Sequence, residues 1–372
     1  MKLTFVLGLM LLWGISLGHA DLVRKDEPNG ENVFIITLDG YRWQELFSGA
    51  DPTLISNNKW TSDTTYNKAL YWSSDPKQRR ERLMPFFWNV VAKQGQLYGN
   101  RATNSKVNNY NLYLLSYPGY NEIFTGEADP FIASNNKVMN KNTNLLEYIS
   151  KAPGYVGKVA AFTSWDAFPY ILNKDRSKFY LNSAHNVFKE QDLNATEKEL
   201  KILDNDADHS QQPTRDDRIT FLSAKEYIKK NLPKVVFLGL SGTDDAGHAK
   251  QYDQYLKSAN EADRIISELW SLVQSMPQYK GKTTFIITTD HGRGDSEDNW
   301  YDHGLLVRGS SQTWMALLGS NVKPLGECTS SSQLYQRNIA GTISYLLGLN
   351  SYTRHMLPLT FFEGTSNALA KN

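Results

Sequence analysis

Three short stretches of this 372-residue chain set Asp beside His in patterns that suit catalysis: Asp244-Asp245-Ala246-Gly247-His248, Asp290-His291-Gly292 and Asp302-His303-Gly304. A fourth, Asp39-Gly40, adds another carboxylate at the end of an apolar run. Carboxylate and imidazole are hard-to-borderline ligands that suit Zn2+, with Mn2+ or Fe as competitors. A lone Asp-Gly after a strand is an ordinary turn or helix cap, and a lone Asp-His-Gly is an ordinary hydrogen-bonded loop. Several such stretches at the ends of several strands point instead to a metal or catalytic cluster.

The elements that must position them are strands. Apolar, β-rich runs occur at 33–38, 158–162, 235–240, 284–288 and 314–318, each followed by polar or glycine residues. Such runs read as strands buried on both faces of a parallel sheet. Between them the spacing predicts helices at 81–93, 144–150, 216–230, 252–275 and 333–347. Alternating strand and helix means an α/β fold, in which ligands bind beyond the carboxyl ends of the strands. Two polar, irregular stretches, 48–80 and 173–214, interrupt the alternation and read as inserted cap or lid segments at the cleft rim.

Composition narrows the class. Forty Lys and Arg against 39 Asp and Glu leave no polybasic character, so no nucleic-acid partner is expected. A hydrophobic fraction of 40% is enough for a proper core. Lys2, a short apolar run and Gly18-His19-Ala20 before Asp21 read as a signal peptide over residues 1–20. No other segment reaches transmembrane length, so no stable membrane insertion is expected. Cys328 is the single cysteine, which excludes the disulfide-rich secreted class. A periplasmic or secreted bacterial protein is the expectation, with residues 21–372 as one domain.

Asp39, Asp244, His248, Asp290, His291 and His303, in this order, resemble the six ligands of the two-zinc alkaline phosphatase superfamily, most like its nucleotide pyrophosphatase/phosphodiesterase branch. Ser116-Tyr117-Pro118-Gly119-Tyr120-Asn121-Glu122-Ile123-Phe124-Thr125-Gly126 is similar to that branch's nucleophile segment. The resemblance implies a three-layer α/β/α fold with a mostly parallel central sheet. It also implies two divalent ions, Zn2+ before Mn2+, one held by Asp244, His248 and His303, the other by Asp39, Asp290, His291 and Ser116. Ser116 becomes the nucleophile, with the N-terminal amides of the following helix facing the phosphate, although Ser116 taken alone reads as a helix N-cap. Asn135 and Asn136 lie near the position of an Asn that bonds a phosphoryl oxygen, and Arg293 or Lys137 could clamp a monoester dianion.

The activity implied is hydrolysis of a small-molecule phosphate ester, monoester or diester, through a phosphoryl-serine. The short interval between His291 and His303 resembles the phosphoethanolamine transferases and phosphoglycerate mutases of the superfamily, which keeps a transferase or mutase as an alternative. A metal-containing binding protein without turnover is the alternative of another class. Sulfatase chemistry is disfavoured, because Tyr120 stands where those relatives carry Arg.

Overall fold

The computed structural model describes residues 31–184, 193–206, 213–329, 332–349, 352–353, 355–357 and 361–362, and the expected signal peptide at 1–20 lies outside them. Eleven strands are described: β1 (Asn32–Leu38), β2 (Gln96–Tyr98), β3 (Lys106–Asn108), β4 (Val159–Thr163), β5 (Tyr180–Ser183), β6 (Val235–Leu240), β7 (Thr283–Thr288), β8 (Gln312–Thr313), β9 (Met315–Gly319), β10 (Gly326–Glu327) and β11 (Gln333–Tyr335). Eight form one sheet in the order β10-β2-β9-β7-β1-β6-β4-β5, and β11-β3-β8 form a small second sheet. In the large sheet only β9 runs against its neighbours.

The strands are apolar on both faces because both faces are covered. Phe34, Ile36 and Leu38 of β1 enter one core with residues of the helices Asp217–Asn231 and Tyr252–Ser275. Val33 and Ile35 enter the other, with residues of the helices Ser116–Thr125, Leu145–Lys151 and Asn338–Leu346. Each fully buried side chain of this size contributes roughly 1.5–3 kcal/mol by leaving water. The result is the expected three-layer α/β/α architecture.

Local chemistry shifted several expected boundaries. The helix expected at 81–93 is interrupted after Leu83, where Pro85 follows; Pro76–Leu83 is α-helical and Phe87–Val91 forms a π-helical turn. The helix expected at 333–347 begins only at Asn338, because Gln333–Tyr335 pairs with β3. The stretch 173–214 is not simply a cap: Tyr180–Ser183 completes the large sheet at its edge, and its polar Asn182 and Ser183 weaken the apolar signal. The stretch 48–80 holds the helix Thr64–Tyr71 and the start of Pro76–Leu83.

Register delivers the site. Leu38 pairs with Leu240 and Thr37 with Thr288, so Asp39, Ser241 and Thr289 leave the sheet at nearly one level. Asp217 then fixes the next turn. Its carboxylate accepts from Ser164 Oγ at 2.6 Å, Ser241 N at 2.8 Å and Gly242 N at 2.9 Å, anchoring the start of the helix Gly242–His248. Asp217→Ala would strand two backbone donors and is expected to cost about 2–4 kcal/mol, read as a lower urea midpoint at unchanged slope. An unchanged midpoint would show that the turn holds without it.

Candidate metal centre

Asp39 follows β1, Asp244 and His248 ride the helix after β6, and Asp290-His291 follow β7. His303 returns on the loop before β8. The six residues expected from the sequence meet. His291 Nε2 lies 3.4 Å from Asp39 Oδ1, 3.5 Å from Asp290 Oδ2 and 3.8 Å from Asp244 Oδ1. His303 Nε2 lies 3.1 Å from His248 Nε2 and 4.0 Å from Asp244 Oδ1, and His248 Nε2 is 3.2 Å from Asp244 Oδ2. By distance the tight trios are Asp39, Asp290, His291 and Asp244, His291, His303, with His291 shared. His248 stands at the exposed edge of the second trio.

These residues fit a divalent cation. Asp290 Oδ2 is buried without a hydrogen bond. Burial first, then the charge of Asp39, pushes the Asp290 carboxyl up to about 7. Burial works against charge on His291, yet Asp290 and Asp39 outweigh it and raise the imidazole to about 9. His303 moves the other way, well below the usual imidazole range, through burial and the nearby His291 and Arg293. Buried acids and imidazoles that strain each other's protonation are what one additional positive centre relieves.

Neighbouring groups set the ligand orientations. His291 Nδ1 lies 2.9 Å from the Gly292 carbonyl and His303 Nδ1 2.9 Å from that of Leu114, so each ring donates from Nδ1 and presents Nε2 inward. Tyr120 donates to Asp39 Oδ2 at 3.1 Å. Thr243 Oγ1 donates to the Asp39 carbonyl at 2.6 Å, and Asn109 Nδ2 to the Asp290 carbonyl at 2.6 Å. Sequence reading assigned none of these three a role at the metal. Tyr120 lay inside the nucleophile segment, whereas Thr243 and Asn109 gave no separable signal.

Ser116 is the first residue of its helix, and the N-cap is Leu115. Its hydroxyl does not cap the helix; it lies 3.1 Å from His291 Nε2 and 3.4 Å from Asp39 Oδ1. A Cβ on Gly119 would stand 2.5 Å from the Asp290 carbonyl oxygen, so glycine there lets the helix press Ser116 against the ligands. The amide contribution expected of this helix is reduced: Tyr117 N donates to Asn135 Oδ1 at 2.9 Å, and Pro118 has no N–H. Asn135 is thereby placed near Ser116, while Asn136 is exposed.

The expected phosphate clamps sit elsewhere. Arg293 is buried and donates to the carbonyls of Gly40 (3.1 Å), Tyr301 and Asp244 (3.2 Å), and to Asp244 Oδ1. It braces a ligand instead of facing an open phosphate site. Lys137 pairs with Asp166 at 2.6 Å. The two inserted stretches do reach loops at this end of the sheet. Trp60 packs edge-on to Trp300, and Thr214 Oγ1 donates to Asp245 Oδ2 at 2.7 Å.

The Metalloenzyme superfamily model matches residues 183–303, the segment carrying five of the six clustered Asp and His residues. GPI ethanolamine phosphate transferase 1 of Aspergillus oryzae is 28% identical over 153 residues, 35% of this chain; the match spans only 14% of that relative's length. Alkaline phosphatase PafA superposes with TM-score 0.57 at 11% identity, covering 89% of this chain and 98% of its own. Murine ectonucleotide pyrophosphatase/phosphodiesterase 5 gives TM-score 0.52 at 12% identity, covering 89% and 100%. The fold is alkaline-phosphatase-like, and the resemblance drawn from the sequence to that superfamily is borne out. Among the described residues no helix is long and apolar enough to cross a membrane.

Asp290→Ala and His303→Ala are each expected to lower bound metal in the purified chain and to cut turnover at least about 100-fold, since each removes a ligand. Elemental analysis beside a rate assay checks this. Full metal content and rate in either variant would remove that residue from the ligand set.

Proposed function

We propose that this chain, with the fold of the alkaline phosphatase superfamily, is an exported phosphoric ester hydrolase. It works through a phosphoryl-Ser116 intermediate on a small-molecule substrate. The observation that carries the reading is the position of the Ser116 hydroxyl, 3.1 Å from His291 and 3.4 Å from Asp39, among six ligands suited to two divalent ions. Asp39, Asp290 and His291 would hold one ion beside Ser116, and Asp244, His248 and His303 the other, Zn2+ being the best match to this donor set. When bound, such ions lower the pKa of a coordinated hydroxyl and take up charge on phosphoryl oxygens.

The protein's own residues do the rest. Ser116 Oγ forms the new bond to phosphorus as the ester oxygen leaves, and the departing alcohol takes up the proton that Ser116 gives up. Water then releases phosphate, or a phosphomonoester from a diester, and restores the hydroxyl. Asn135, with Oδ1 engaged by Tyr117 N, offers its amide protons to a phosphoryl oxygen. Arg293 keeps Asp244 aligned. The segments 48–80 and 173–214 form the cleft rim.

A second reading has specific support. The similarity to an ethanolamine phosphate transferase favours a hydroxyl-bearing acceptor in place of water at the second step. The covalent intermediate is the same, and only the acceptor differs.

The test compares p-nitrophenyl phosphate, bis-p-nitrophenyl phosphate and p-nitrophenyl sulfate with the zinc-loaded chain. Turnover of a phosphate ester but not the sulfate is expected, with monoester against diester preference naming the subclass. Ser116→Ala is expected to reduce kcat by at least about 1,000-fold while bound metal persists. Unchanged turnover in that variant would end the covalent mechanism. Added alcohols that raise p-nitrophenol release above phosphate release would shift the assignment to transfer.

A further inference from the structure

A cavity of about 320 Å3 has Asn109, Tyr110, Leu114, Leu305, Ser311, Gln333 and Tyr335 among its walls. Its walls belong to the site's own framework. The Leu114 carbonyl holds His303, Asn109 holds the Asp290 carbonyl, and Leu114 lies two residues before Ser116. The cavity thus shares Leu114 and Asn109 with the residues that position His303 and Asp290.

The uncommitted polar atoms describe the occupant. Gln333 spends Nε2 on Asn108 Oδ1 (3.1 Å) and the Leu334 carbonyl (2.6 Å), which leaves Oε1 as an acceptor. Ser311 Oγ accepts from Asn108 Nδ2 at 3.2 Å and keeps its own proton to donate. Two phenols, of Tyr110 and Tyr335, complete the set, with ring centroids 5.4 Å apart and the planes nearly perpendicular.

That mixture selects against charge. An anion carries acceptors only and would meet Gln333 Oε1 with nothing to donate. An ammonium group would seek the tyrosine faces, but the Arg337 guanidinium already lies 3.6 Å over Tyr110 and 5.1 Å from the centre of Tyr335. Hydroxyl groups both donate and accept, and the C–H faces of the carbons that bear them suit Leu114, Leu305 and the tyrosine rings.

We propose that this cavity is a subsite for an uncharged, hydroxyl-rich part of the phosphate ester, a sugar ring or a glycerol unit. The proposal deepens the phosphoester reading and rests on it. The test measures kcat/KM of the zinc-loaded chain for glucose 1-phosphate, glycerol 1-phosphate and ethyl phosphate, in the wild type and in Gln333→Leu and Tyr335→Leu.

At least one polyol ester is expected to exceed ethyl phosphate by about tenfold, the worth of one or two hydrogen bonds, and both variants should remove most of that advantage. An advantage for glucose 1-phosphate alone assigns a sugar, and for glycerol 1-phosphate alone a glycerol unit; either supports the subsite. No advantage, or one untouched by both variants, overturns it. If every ester is inert, the phosphoester reading has failed, and the subsite is read by saturation-transfer NMR with methyl α-glucoside and glycerol. Binding weakened in the variants then supports it, and no binding overturns it.

Discussion

Three carboxylates converge on one buried imidazole, and most of what surrounds them can be understood as holding them there. Asp39, Asp290 and Asp244 approach His291 Nε2 within 3.4, 3.5 and 3.8 Å. Like charges this close in a dry interior repel strongly unless a cation joins them. The sheet makes the convergence unavoidable. Because β6 and β7 flank β1 in register, the residues just beyond all three strands emerge side by side. Main-chain pairing therefore brings Asp39 and Asp290 together, with Asp244 joining from the helix after β6; the raised Asp290 reflects burial and the charge of Asp39, and the raised His291 the attraction of Asp290 and Asp39.

A surrounding layer keeps that arrangement from relaxing. Backbone carbonyls of Gly292 and Leu114 fix the two imidazole orientations, and Arg293 ties Gly40, Asp244 and Tyr301 into one bracket. Deeper still, the buried Arg42 guanidinium pairs with Glu45 and donates to the Gly294 carbonyl at 2.9 Å, pinning the loop beyond His291. Tyr252 donates to Glu45 at 3.0 Å, so the long helix Tyr252–Ser275 is coupled to the same loop. Removing a charged member of such a network leaves its partner buried and unpaired, which costs more than the lost contact.

The central strands were legible because burial on both faces writes an unbroken apolar run, as in 33–38 and 235–240. The cluster of six Asp and His residues was legible because Asp and His at strand ends have few other reasons to recur. Less visible was whatever depends on a distant partner. Tyr180–Ser183 is a strand only because β4 lies beside it, and Gln333–Tyr335 only because β3 does. Arg293 reads as a free cation in sequence and becomes a brace in space, since nothing local shows that Gly40, Asp244 and Tyr301 surround it. Asn109 and Thr243 are invisible for the same reason: their partners lie 181 and 204 residues away.

The position of Ser116 bears on how hydrolysis and transfer divide. Its helix is buried along its length and pressed so close to the Asp290 carbonyl that residue 119 has no room for a Cβ. In the proposed mechanism the backbone of Ser116 is held in place, so an acceptor would approach the phosphoryl group from outside. What arrives is then set by the side of the centre that remains open, where His248 and Asn136 are exposed and the Asn109–Tyr335 cavity adjoins. Water needs no recognition to enter there, whereas a larger hydroxyl compound competes only if the open side binds and orients it. On the proposed reading the Asp and His cluster carries the phosphoryl chemistry, and the loops at 108–114, 135–138 and 303–311 would set the balance between hydrolysis and transfer.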